Sequence, residues 1–347
     1  MPCSALHDHG AVSYDAGMIV DWTPLRELLA AKQHFLITSH VRPDADAIGS
    51  EVGLAAVLQQ AGKTTRIINA SPMPPHLAFL DPDHEVLHLG TSATADQILQ
   101  ADVHVVVDTS SWLQLSDVGK VLRESSVPRV VIDHHVSADD LRAIELKDPQ
   151  REATGALICD FAEAAGLPIT AKAATALFAA IATDTGWFRF AATTGETLRV
   201  AGQLVDRGAQ PHRVYRELYE QSSLARVRLA GRILSRVTLD CENRLAYTWV
   251  PWSDFEELGA LSSDTEDLVN EGLKIAGTLA AFIAIEQQNR QVKVSFRSRT
   301  EVDVAEIAER FGGGGHKQAA GATLSGPLAA AVQQALSAMK SALESRA

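Results

Sequence analysis

Cysteine is scarce: Cys3, Cys159 and Cys241 are the only three in 347 residues, and no two form a CxxC pair. Such spacing excludes a disulfide framework or zinc ribbon and fits a reducing compartment. Long apolar runs are also missing. The most apolar stretch, Ile275 to Ile285, is far shorter than the ~18 residues that cross a bilayer, so no membrane partner is expected. The opening residues, MPCSALHDHG, lack a basic leader followed by an apolar core, so the expected compartment is the cytoplasm. Positive charge is in deficit, with 31 Lys and Arg against 43 Asp and Glu and a formal net charge of −12. Tight binding of long duplex nucleic acid draws on many cations that neutralise phosphates, so such a partner is not expected. There is no GxSxG elbow for a serine hydrolase. Gly62-Lys63-Thr64 imitates the end of a P-loop, but Val57 stands where its first glycine is required.

What is present is an ordinary globular composition, 46% hydrophobic and 21% charged, at a length that suits two domains. Residues 1–21 have no hydrophobic period and read as a loose extension, in which His7-Asp8-His9 is taken as solvated. From residue 22 to 195, apolar strand candidates (Phe35 to Thr38, Thr65 to Ile68, Val103 to Val107, Arg129 to Ile132) alternate with helical patterns such as Ser50 to Ala61, Thr154 to Ala165 and Ala171 to Ala182. This pattern predicts an α/β domain built as a doubly wound, mostly parallel sheet. Residues 196–222 read as a helical connector, continuous from about Glu196 to Leu218. Residues 223–347 read as a smaller α/β domain. Its expected elements are strands Leu245 to Val250 and Gln291 to Phe296, a helix from near Ser263 to Ile285, and a helix after Pro327.

Three strand candidates end in ionisable residues: His40 with Asp44 and Asp46, then Asp108, then Asp133-His134-His135. In open parallel sheets the ligand site lies at the carboxyl ends of the strands, so these groups should converge. Carboxylates at i and i+2, as in Asp44 and Asp46, repel unless a cation lies beside them; Asp44 or Asp46 as a helix cap is the competing reading. With Asp184 after the second alanine-rich helix there are enough oxygen and imidazole donors for two divalent cations of the Mn2+, Mg2+ or Zn2+ type. A carboxylate shared by two metals is a recurring device for phosphoryl transfer. In the second domain, Gly312 to Gly315 lets backbone N–H groups turn toward an anion, next to His316. The strand Val292 to Ser298 alternates, which puts Lys293, Ser295 and Arg297 on one face, with Arg297 free to contact a phosphate.

The ordered blocks HVRPDADAIGS (His40 to Ser50), VVVDT ending at Thr109, DHH (Asp133 to His135) and TDTG (Thr183 to Gly186) resemble the DHH phosphoesterase superfamily. The segment from Ser295 to Gly321 is similar to its associated C-terminal domain. Length and domain order resemble the bifunctional oligoribonucleases, or nanoRNases, that also dephosphorylate 3′-phosphoadenosine 5′-phosphate (pAp). The resemblance implies two α/β domains with the active site between them, and two Mn2+ as cofactors, with Mg2+ or other divalent cations as substitutes. It implies that His40 and Asp44 bind one ion, that Asp46, His134 and Asp184 bind the other, and that Asp108 bridges them. By the same resemblance His135 sits near the scissile phosphate, Asp133 supports the imidazoles, and Arg297, Ser298, Gly314, Gly315 and His316 hold the terminal nucleotide phosphate. Related proteins often carry arginine a few residues past the bridging aspartate, where this chain has Gln114.

The expected substrates are therefore short RNA oligonucleotides, pAp or dinucleotides. Cleavage of cyclic dinucleotides or their linear products is the alternative enzyme. A nucleotide-binding module without turnover is the alternative of another class, and a homodimer is left open.

Overall fold

The computed structural model describes residues 20–299 and 302–344, so the expected N-terminal extension lies almost wholly outside the described residues. The chain divides into two compact units, Met1–Gln221 and Ser222–Ala347.

Six strands build the first unit's sheet: β1 (His34–Thr38), β2 (Thr64–Asn69), β3 (Val86–His88), β4 (Val103–Val107), β5 (Arg129–Asp133) and β6 (Ile144–Lys147). All neighbours pair in parallel in the order β3-β2-β1-β4-β5-β6. The chain winds outward from β1 in both directions, so the strand order reverses between β1 and β4, and a crevice opens there at the strands' carboxyl ends. β4 and β5 are buried along their whole length, as their unbroken runs of Val and Ile require of strands covered on both faces. Helix Ala45–Gln60 is buried from Ala45 through Leu58 because it lies between the sheet and helices Thr154–Ala164 and Ala171–Asp184. Its burial on every side makes this helix an interior one, polar only where Asp46, Ser50 and Glu51 make hydrogen bonds.

The connector is not one helix. It forms two, Gly195–Asp206 and Pro211–Tyr219, broken where Gly208 takes φ 110° and Pro211 opens the second. Val200, Leu204 and Val214 are buried in the first unit's core, so both helices belong to that unit.

The second unit carries β7 (Thr238–Asp240), β8 (Leu245–Val250), β9 (Ala280–Glu286), β10 (Val292–Ser298), β11 (Gly314–His316) and β12 (Ala319–Leu324) in the order β11-β12-β10-β9-β8-β7. Only β8 and β9 pair in parallel. The expected helix from Ser263 to Ile285 is a 3-10 turn (Ser262–Thr265), a short helix (Val269–Leu273) and then β9, an inner strand of the sheet. Gly277, at φ 85°, ends the helical region, and residues 280 to 285 are buried on both faces. Helix Leu328–Glu344 and helix Val304–Glu309 cover one side of the sheet. Helices Leu224–Ser235, Trp252–Leu258 and Val269–Leu273 contribute to the core on the other. Among the described residues no helix is long and apolar enough to cross a membrane.

Candidate active site

β1 runs into Ser39-His40, and helix Ala45–Gln60 begins five residues after His40. Asp44 caps that helix: its Oδ1 accepts N–H from Asp46 and Ala47, each at 3.0 Å. The same Oδ1 stands 3.9 Å from His40 Nε2, so capping and ligation are compatible uses of one carboxylate. His40 Nδ1 lies 3.0 Å from the Val41 carbonyl, and donation there leaves Nε2 as a bare lone pair, 3.3 Å from Asp108 Oδ2.

Asp108 follows β4 with φ 60°, a left-handed backbone that a non-glycine residue adopts only when its surroundings hold it. Thr154 helps hold it, donating from Oγ1 to Asp108 Oδ1 at 3.0 Å. That Oδ1 is 3.7 Å from His134 Nε2, so the two oxygens of one carboxylate face two imidazoles from different strand ends. His134 Nδ1 lies 3.2 Å from the Arg151 carbonyl, and its Nε2 stands 3.8 Å from Asp46 Oδ2 and 3.4 Å from Asp184 Oδ2. Asp46 in turn accepts the Thr154 and Gly155 N–H groups at 2.8 and 3.0 Å and the Ser50 hydroxyl at 3.1 Å.

The ligand atoms of His40, Asp44 and Asp108 all lie within 4.8 Å of one another, as do those of Asp46, His134 and Asp184. Burial raises the pKa of Asp46 and pushes Asp108 well above the usual carboxylate range, and mutual repulsion among these aspartates adds to the effect on both. Asp184 is pushed up to about 7 by burial and then by Asp46. Crowded carboxylates facing imidazole lone pairs repel one another, and a divalent cation would relieve that repulsion. The donor set therefore fits hard or borderline divalent ions.

His135 borders this cluster, its Nδ1 3.8 Å from Asp108 Oδ1 and its ring 4.5 Å from that of His134, but Asp133 is what orients it. Its Nδ1 is only 2.8 Å from Asp133 Oδ1 and its side chain is 51% exposed, so Nε2 is the nitrogen available to a ligand. Burial would raise Asp133, but hydrogen bonds from His135 and Ser110 outweigh it and bring the carboxyl down to about 2. The Asp133 hydrogen bond raises His135 in return. Lys147 Nζ, 3.2 Å from Asp133 Oδ2 and 2.7 Å from Ser110 Oγ, completes the support. Ser110, Lys147, Thr154 and Gly155 were not singled out in the sequence. Hydroxyls, a lysine at a strand end and backbone amides carry no spacing signal, and only the fold brings them here. Gln114 reaches the same region through its backbone, its carbonyl accepting the Val41 N–H at 2.8 Å, while its side chain is exposed.

In the second unit Arg297 pairs with Ala319, and Ala319 with His316, so register puts Arg297 and His316 on one face two strands apart, about 9.6 Å at the usual strand spacing. Gly314 and Ser295 share that face through Gly321. Lys293, Ser295 and Arg297 also line a cavity of about 430 Å³ with Ser262, Thr265 and Val269. Gly314–His316 is the sheet's edge strand, and a Cβ on Gly315 would stand 2.5 Å from the Ala319 carbonyl oxygen, so glycine there serves close strand approach. Ser298 is not brought to Arg297: strand alternation turns it with Val294 and Phe296 to the buried side.

The description "DHH family, N-terminal domain" matches residues 34–181, and "DHHA1 domain" matches residues 243–345. A protein named bifunctional oligoribonuclease and PAP phosphatase NrnA from Thermus thermophilus is 34% identical over 299 residues, 86% of each chain. One of the same name from Bacillus subtilis is 28% identical over 87% of this chain and 93% of its own. The crystal structure of an exopolyphosphatase-related protein from Bacteroides fragilis shares the fold, with a TM-score of 0.84 at 24% identity over 93% of this chain and 95% of that one. Sequence blocks, site and overall likeness agree: this chain belongs to the DHH family, with a DHHA1 domain as its second unit.

Proposed function

We propose that this protein is a metal-dependent phosphoesterase of the cytoplasm that hydrolyses short oligoribonucleotides to mononucleotides and pAp to AMP and phosphate. The observation that carries the reading is the single carboxylate, Asp108, whose two oxygens face His40 on one side and His134 on the other. His40, Asp44 and Asp108 would hold one Mn2+, and Asp46, His134 and Asp184 a second, with Asp108 shared between them. Two such ions, or Mg2+ in their place, supply the positive charge that phosphoryl transfer needs in its transition state.

The chain's own residues do the rest. Asp133, fixed as an anion by Ser110 and Lys147, orients His135 and favours its protonated form, so that Nε2–H can donate to a phosphate oxygen or to the departing oxygen. Arg297 and His316, on one sheet face of the second unit, are suited to hold a phosphate. A chain with net charge −12 offers few further cations for a longer strand.

The test is one panel of pAp, 5′-labelled RNA from 2 to 24 nucleotides, cyclic and linear dinucleotides, and pyrophosphate, each with Mn2+ and after chelation. Release of mononucleotides from the shortest RNAs and of phosphate from pAp, both lost on chelation, is expected. Preference for a cyclic dinucleotide, or processive degradation of the longest RNA, would overturn the assignment.

A further inference from the structure

The turn after Asp184 carries two exposed residues, Arg189 and Phe190, that nothing above uses. Helix Ala171–Asp184 is closed by Thr185, whose hydroxyl donates to the Ile181 carbonyl at 2.7 Å and accepts the Phe188 N–H at 3.1 Å. Three successive residues then take left-handed backbone: Gly186 at φ 56°, Trp187 at 61° and Phe188 at 62°. Bulky side chains adopt that conformation only where packing imposes it. Here Trp187 is packed against Tyr215, Tyr219 and Phe178, with ring centroids 4.9, 5.9 and 6.0 Å away.

The result of this costly turn is the placement of Phe190. A Cβ on Gly186 would stand 2.4 Å from the Phe190 ring, so the ring rests on the bare glycine while 54% of the residue's surface faces solvent. Arg189 Nε donates to the Gly186 carbonyl at 2.6 Å, which leaves its guanidinium carbon 5.9 Å from the Phe190 ring centroid. Both side chains are thus anchored on a residue two Cα steps of about 3.8 Å beyond Asp184. A ring needed for packing would be buried, as Trp187 and Phe188 largely are.

We propose that Phe190, backed by Gly186 and flanked by Arg189, is a stacking platform for a nucleobase of the substrate whose phosphate is held beside Asp184. Every base has a π face, and an exposed aromatic next to an arginine grips bases without regard to their sequence. An acidic chain with few phosphate contacts gains most from this kind of grip. The inference rests on the nucleotide reading of the site and adds to it the source of selection for base-bearing substrates.

The experiment uses the full chain with Mn2+, a 5′-phosphorylated diadenylate and two analogues, each lacking one base. In the wild type, loss of one particular base should raise KM about 10-fold, within the range of stacking on one aromatic ring. In Phe190→Leu, which still covers Gly186 but has no ring, that ratio should collapse to below about 2-fold, and Phe190→Trp should restore it. A wild type indifferent to both missing bases, or a Phe190→Leu variant that keeps the full ratio, would overturn the platform. No turnover of the diadenylate by the wild type would instead overturn the nucleotide reading itself.

Discussion

The two sheets carry their polar residues in opposite ways. In the first unit the strands are covered on both faces, and the functional groups stand just past the ends of β1, β4 and β5. In the second, charges stand on the strand itself, at alternate positions of β10, on a face left partly open. The first arrangement lets carboxylates be buried, crowded and fixed by hydrogen bonds that only a closed environment supplies, as Thr154, Gly155 and Ser50 do for Asp108 and Asp46. The second leaves Arg297 and His316 in contact with solvent, where each is worth a contact and no more. Under the proposed function the buried set would serve the chemistry and the open one the selection.

The sharpest way to break this contrast is Asp108→Asn. The variant should lose on the order of 10³-fold in kcat, because one shared anion is removed from both ligand groups. Metal-free, it should melt no lower than the wild type, since burial and the neighbouring aspartates already disfavour the charge on Asp108. Turnover and EDTA melting curves measured side by side check both halves. Near-normal kcat would remove the two-ion site from the mechanism.

Arg297→Ala tests the open sheet. Loss of one charge-assisted contact should raise KM for pAp and diribonucleotides about 10 to 100-fold, with a smaller change in kcat. A fall in kcat as large as that of Asp108→Asn, with KM unmoved, would put Arg297 in the chemistry and erase the division between the two sheets.

The sequence made the first sheet legible because unbroken Val and Ile runs have one stable place, inside a parallel sheet, and their polar ends have one place to go. The connector's break lies at Gly208 and Pro211, where a left-handed backbone and a proline at a helix start interrupt the helical stretch. In β9 the run Ala-Ala-Phe-Ile-Ala-Ile is equally apolar as a helix or an inner strand, and only its pairing with β8 and β10 decides. Strand alternation groups Lys293, Ser295 and Arg297 on one face, and the same rule turns Ser298, which the family resemblance includes, to the other. The supports of the metal-ligand cluster were invisible because Thr154 meets Asp108 across 46 positions of sequence.

The smallest expected effect is a pH dependence that belongs to the first sheet alone. Asp184, with a pKa of about 7, and Asp46 and Asp108, also raised, hold protons in the folded state at pH values where the unfolded chain has lost them. The contribution of Asp184 to stability is full below about pH 4, the unfolded carboxylate value, and is lost as pH rises through about 7, and Asp46 and Asp108, raised in the same sense, also lose stability as pH rises. Glu51, pushed up to about 7 mainly by burial, acts in the same direction, while buried His104, pushed down to about 4, acts in the opposite one. Neither is a proposed ligand, so both cancel in the difference between melting temperatures with and without Mn2+. Ions bind the deprotonated ligands, so that difference should widen between pH 5.5 and pH 8, by on the order of 5 °C. Asp184→Asn should flatten the widening and Arg297→Ala should leave it intact. A difference independent of pH would mean that the raised carboxylates are not the groups that Mn2+ displaces protons from.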